Sequence, residues 1–154
     1  MAREVSLDAM RALVGTALSP SAWFTIGQDR IDRFADVTED WQFIHVDPER
    51  AEDTPFGTTI AHGFLSLSML SAMIPDDFPQ VEGAAMGVNY GFDRVRFVEP
   101  VRSGSRIRSR LTLLAFEARR PGQHQSRWDV TVEIEGADKP ALKAEWLALT
   151  FLHP

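Results

Sequence analysis

In the stretch RWDVTVEIEG, Trp128, Val130, Val132 and Ile134 take every second position, and Asp129, Thr131, Glu133 and Glu135 fill the gaps. Only an extended chain sends alternate side chains to opposite faces, so this segment predicts a strand with one buried and one solvated face. Just upstream, SRIRSRLTLLAF sets Ile107, Leu111 and Leu113 against Arg106, Arg108 and Arg110. Pro121-Gly122 lies between the two runs as a turn, and the sum predicts an antiparallel hairpin. ALKAEWLALTFL reads as a last strand, buried on both faces towards its end, and AAMGVNYGFDRVRFVEPV as one or two more.

The first half of the chain has a different period. Leu7, Met10, Ala12, Leu13 and Val14 predict a short helix, and AWFTIG a strand or the approach to one. Ile31, Phe34, Ala35 and Val37 keep helical spacing over 28–37. In VDPERAED, Asp47 suits an N-cap and Pro48 the first helical position, where its missing N–H costs nothing. IAHGFLSLSMLSAMIP is apolar or small on nearly every face and predicts a buried helix of roughly four turns, stopped by Pro75. The expected fold class is therefore α+β. One domain over 1–154, with 1–20 as an N-terminal helical extension, sets a long central helix against a five- or six-stranded, largely antiparallel sheet.

Composition narrows the function. The chain has no cysteine, which excludes disulfides, thiolate metal sites and a Cys nucleophile. A net charge of −6 argues against nucleic acid as a partner. The sequence has no apolar run of membrane-spanning length and no secretory h-region at its start, so a cytoplasmic protein with no membrane association is expected. The arginines at 106, 108 and 110 read as cross-strand partners of Asp129, Glu133 and Glu135 in preference to a phosphate-attracting rim.

The chemistry concentrates in TEDWQFIHVDPERAEDTPFGTTIAHG, Thr38 to Gly63. Asp40 and His45 could hold a water molecule between them and move its proton. They could equally be a turn cap and a satisfied histidine. A His-x-Asp metal pair at His45 and Asp47 is the weaker alternative, because no spaced ligand set accompanies it and Asp47 is better used as a cap. Gly63 opens the apolar helix, either to aim its N–H at a ligand oxygen or to let the helix pack closely. His62 belongs to the turn that presents it or reaches the ligand itself. Ser66, Ser68 and Ser71 are expected to bond back within the helix, and none lies in a nucleophile elbow. Asn89, in the turn-like Asn89-Tyr90-Gly91, could line a pocket.

Together these residues resemble the MaoC-like dehydratase family, which includes the (R)-specific enoyl-CoA hydratases and a NodN-like branch. The family motif of Asp, a variable residue, Asn-Pro, an aliphatic residue, His and a second Asp reads here Asp40-Trp41-Gln42-Phe43-Ile44-His45-Val46-Asp47. Ala61-His62-Gly63 matches a second motif at the expected distance, and the resemblance runs from about Trp23 to the C-terminus. It implies a hot-dog fold, a homodimer and an acyl-CoA thioester substrate hydrated from trans-2-enoyl-CoA to (R)-3-hydroxyacyl-CoA without cofactor or metal. It further implies Asp40 and His45 as the catalytic pair, the Gly63 N–H as oxyanion donor and Ser71 as a support. Gln42, His62 and Asn89 complete the expected substrate-binding set. The family's Asn-Pro is Gln42-Phe43 here, a departure expected to alter pocket shape more than catalysis, with Phe43 narrowing the pocket. An acyl-CoA thioesterase and a non-catalytic acyl-thioester binding module share the fold and stand as alternatives.

Overall fold

The computed structural model describes residues 3–153; Met1, Ala2 and Pro154, the ends of the expected domain, lie outside the described residues. The elements run β1 (Arg3–Val5), α1 (Leu7–Ala12), β2 (Phe24–Ile26), α2 (Gln28–Thr38), α3 (Phe43–Val46), α4 (Pro48–Glu52), α5 (Gly63–Ser68), β3 (Pro79–Val81), β4 (Ala84–Phe97), β5 (Ser105–Arg120), β6 (Gln123–Ile134) and β7 (Leu142–Leu152). Five strands form one antiparallel sheet in the order β2-β5-β6-β7-β4, and β1 pairs with β3 in a small parallel sheet. None of the described helices is long and apolar enough to cross a membrane.

The hairpin forms as its alternation requires. Arg120 pairs with Gln123 across the turn, and Gly122 takes φ +71°, a conformation that a β-carbon would disfavour. Trp128, Val130 and Val132 are buried together with Ile107, Leu111 and Leu113. On the opposite face the Arg108 and Arg110 Nε atoms approach Glu133 at 2.6 and 2.5 Å, and Arg106 approaches Glu135 at 3.2 Å. Burial alone would raise the Glu133 carboxyl, but hydrogen bonds from the two arginines outweigh it and hold the group below its ordinary value. Trp23 packs beneath the Arg108 guanidinium, 4.3 Å from ring centre. The arginine stripe is thus a paired sheet face.

Several expectations change. Among the described residues, the extension over 1–20 is helical only in α1, and Arg3–Val5 pairs as a strand with β3. The apolar run does not make four helical turns: α5 has six residues and continues only as a 3-10 turn over Met69–Ser71. At its front, Ile60 forms a β-bridge with Arg102 and the Ala61 N–H donates to Val101 O, so the chain there is extended. At its rear, Ser68 Oγ bonds back to Phe64 O, and the residue before Pro75 is pushed out of helical space. What remains still fills the core, with Leu65, Met69, Leu70 and Met73 buried in one cluster with Trp128, Val130 and Leu142. Asn89-Tyr90-Gly91 is not a turn. It lies inside the single strand β4, at a shift of register against β7.

β7 is buried on both faces in its middle, at Trp146 and Leu147, and not towards its end, where Thr150, Phe151 and Leu152 are only partly buried. β4, by contrast, is an edge strand, and Met86, Val88, Tyr90 and Phe97 on it are all exposed.

Candidate active site

α2 is amphipathic, burying Ile31 and Ala35, and it ends where Glu39 adopts φ 59°. A left-handed residue at that position reverses the chain, and the Glu39 and Asp40 N–H groups both return to Ala35 O. Asp40 emerges on the surface with its carboxylate nearly free. Its one hydrogen bond is a long contact from Gln42 N, at 3.4 Å. The next five residues turn inward. His45 lies on the one-turn helix α3 and is 7% exposed.

The His45 ring has a fixed orientation. Its Nδ1 lies 2.7 Å from Ile60 O, and a carbonyl can only accept, so Nδ1 carries the proton. In the neutral ring Nε2 is then left with a free lone pair. Burial lowers the His45 pKa, as does the neighbouring His62, against the Ile60 hydrogen bond and the Asp40 charge, which raise it. The net shift is downward, and the neutral base dominates at neutral pH.

Two further residues hold this arrangement in place. Gln28 at the start of α2 donates through Nε2 to His45 O at 2.7 Å and accepts from Thr59 Oγ1. Ile60 N donates to Ile44 O at 3.0 Å. Gln28 carried no signal in the sequence for this role, because the two partners that link it to the site lie 17 and 31 residues away. Asp47 caps α4 by accepting from Arg50 N, and Pro48 takes the first helical turn, as the spacing predicts.

His62 closes the group. Its ring stacks on His45 with centroids 3.8 Å apart, and its Nε2 lies 2.9 Å from Asp40 O. One ligand-type atom from each of Asp40, His45 and His62 falls within 4.8 Å of the others. Imidazole lone pairs lie in the ring plane, and these planes are inclined by only 25°. Such stacked rings direct their lone pairs side by side and not at a shared point, which suits proton handling better than a metal ion.

Beside this group runs a groove of about 290 Å³ lined by His45, Phe56, Gly63, Ser66, Phe97 and Val98, among others. A β-carbon on Gly63 would stand 3.0 Å from the Phe97 ring. The glycine thus lets the start of α5 and the Phe97 ring approach closely. Ser66, buried at 3%, is the serine that faces this groove; its place one helical turn beyond Gly63 was the available signal.

Other expected site residues lie elsewhere. Ser71 and Asn89 are exposed and line a separate cavity of about 550 Å³ with Phe78, Trp128 and Trp146. Within one chain they do not meet His45, because the helix stops short at Ser71 and Asn89 lies eight residues up β4 from Phe97. Gln42 is exposed at the N-cap of α3 and contributes its main-chain carbonyl to His45 N, with no side-chain cap bond. Phe43 does not narrow the groove; its ring lies under the Arg50 guanidinium at 4.2 Å.

Residues 10–135 match the family described as the MaoC like domain. Nodulation protein N of Rhizobium meliloti is 50% identical over 152 residues, which cover 98% of this chain and 94% of that protein. The 3-hydroxyacyl-thioester dehydratase Z of Mycobacterium tuberculosis is 44% identical over 140 residues, covering 91% of this chain and 92% of its own. An R-hydratase from Pseudomonas aeruginosa superposes with a TM-score of 0.67 at 25% identity, covering 91% of this chain and 83% of that one. The curved sheet around a core helix is thus a hot-dog fold.

Proposed function

The chain belongs to the MaoC-like dehydratase family, and from that premise we propose that it is an enoyl-CoA hydratase acting without a cofactor. The family supports a hydratase or dehydratase activity. The reaction proposed here converts trans-2-enoyl-CoA to (R)-3-hydroxyacyl-CoA. The observation that carries this reading is the Asp40 carboxylate and the His45 ring at one mouth, with the His45 proton fixed on Nδ1. A water held between them loses a proton to the pair as its oxygen bonds to the β-carbon. The π bond between the α- and β-carbons breaks in that step, its electrons moving toward the α-carbon and the thioester oxygen. The pair returns that proton to the α-carbon, so one water is consumed and nothing is oxidised or reduced. Negative charge develops on the thioester oxygen, and the Gly63 N–H on the groove wall is the proposed donor to it.

The second substrate wall is proposed to come from another copy. β4 is a 14-residue edge strand with exposed apolar side chains, the kind of edge that pairs with a second chain. Two β4 strands meeting antiparallel about their middle would bring the Phe97 end of one beside the Ala84 end of the other. The cavity of Ser71 and Asn89 in one copy would then adjoin the His45 groove of the other, giving both residues the substrate-binding role expected of them. A homodimer is the assembly proposed, in the cytoplasm, where acyl-CoA thioesters are handled.

The test is a hydration assay on 2-enoyl-CoAs of short, medium and long chain, following enoyl absorbance and free thiol together, with chiral analysis of the product. Loss of absorbance without thiol release, giving the (R) product, is expected. Thiol release would identify a thioesterase instead, and binding without turnover a binding module.

Gly63→Ala separates packing from function. The added methyl meets Phe97, which is 48% exposed and can swing aside. The melting temperature should move by no more than about 4 °C, corresponding to about 1 kcal/mol. Hydration should fall at least about tenfold, because methyl and ring together crowd the groove. A melting scan beside the assay checks both.

A further inference from the structure

His62 makes contacts that the proposed reaction does not use. It is 3% exposed, and a carbonyl partner at 2.9 Å requires its Nε2 to donate to Asp40 O. Its ring lies against His45 on one side and Phe34 on the other, with centroids at 3.8 and 5.0 Å. Its Nδ1 is buried without a hydrogen-bond partner.

We propose that His62 is a positioning residue that couples the two catalytic groups, its Nε2–H anchoring the Asp40 main chain while its stacked ring braces His45. One side chain thus fixes both the turn that carries the carboxylate and the plane of the base. The other tethers of the exposed Asp40 turn are the Glu39 and Asp40 N–H groups to Ala35 O, the Trp41 Nε1–H to Asp36 at 3.0 Å and the long Gln42 contact, and none of them reaches His45. The inference rests on the hydratase reading for its kinetic consequence, but its structural core does not.

The groups that face His45 are Asp40 on the preceding turn, His62 on the stacked side and Glu99 across the groove; Asp32 on α2 reaches only Gln28. Coulombic repulsion from His62 is one of the effects that lower the His45 pKa. A ring that cannot take a proton removes that repulsion. His45 should then titrate at higher pH, and the acid limb of kcat/KM should move up with it.

The test uses the full chain and two variants. His62→Phe keeps an aromatic brace and loses the donor; His62→Gln keeps a donor and loses the ring. Nitrogen-15 spectra of the imidazoles give the tautomer and titration of His45 without any turnover. His62 in the unmodified protein should show a proton on Nε2, the nitrogen that donates to Asp40 O. His62→Phe should raise the His45 midpoint and lower kcat by roughly 10²-fold, the scale for a misplaced catalytic group, with KM within about threefold. His62→Gln should recover part of kcat. An unchanged His45 titration in His62→Phe would overturn the proposal, whether or not activity fell, because a loss with no change at His45 marks a structural role only. An unmodified protein that turns over no enoyl-CoA would remove the hydratase reading, and the spectra would still decide the His62 proposal.

Discussion

Asp40→Asn is expected to lower kcat for enoyl-CoA hydration by about 10²–10⁴-fold, the usual contribution of a positioned acid–base group, with the fold intact. Two effects compete in any such variant, loss of chemistry and loss of stability, and here they separate well. Asp40 is exposed, and its carboxylate makes one long hydrogen bond at 3.4 Å, to Gln42 N. Asparagine has the same shape and keeps an oxygen to accept that bond, so stability should change by no more than about 0.5 kcal/mol. The contact from His62 is to the Asp40 main chain and survives the substitution. What disappears is the negative charge, and with it the means to hold and polarise water opposite His45. Steady-state hydration of crotonyl-CoA beside a thermal melt gives both quantities. Turnover near that of the unmodified protein would remove the assignment of Asp40 as a catalytic residue.

How far the sequence reaches is clearest from individual elements. The β5–β6 hairpin was legible because its signals are local: alternation over two strands, a Pro-Gly turn and opposite charges in register. Asp47 and Pro48 were legible for the same reason, since a cap and its helix are neighbours in sequence. The helix at Gly63 was misjudged in length because an apolar run has no informative period. Ile60 and Ala61 look helical in composition, yet each pairs with a segment about forty residues away. Gln28 illustrates the limit best. It is a polar residue at a helix start, and only the fold reveals that it ties His45 O to Thr59. The proposed catalytic pair could be nominated from the motif, but the His45 tautomer depends on Ile60 O and was beyond the sequence. Ser71 is the converse case, a motif match that lines a cavity other than its own chain's His45 groove, so its role cannot be read within one chain.

His45→Ala should be as damaging to turnover as Asp40→Asn, and the two losses should not add. The pair is proposed to act as one device, passing a single proton from water to carbon, and removing either member disables it. A double variant should therefore be no more than about threefold slower than the slower single one, where independent sites would multiply. Stability enters differently at this position. Alanine removes the Nδ1–H donor to Ile60 O and leaves a buried carbonyl unpaired, at a cost of about 1–3 kcal/mol. His45→Gln, whose amide can still donate, should recover stability without recovering turnover, and that split identifies chemistry as the cause. The pH dependence supplies a further check. Burial lowers the folded-state pKa of His45 below its ordinary value of 6.5. The base is neutral above the folded pKa and protonated below it, so kcat/KM should stay on its plateau as pH falls through 6.5 and decline only lower. The same sign holds for stability: the neutral buried ring contributes fully above the unfolded pKa, and that contribution is lost as pH falls through the folded one. In His45→Gln both the acid limb attributable to this ring and its share of acid destabilisation should vanish together, because one protonation event underlies them.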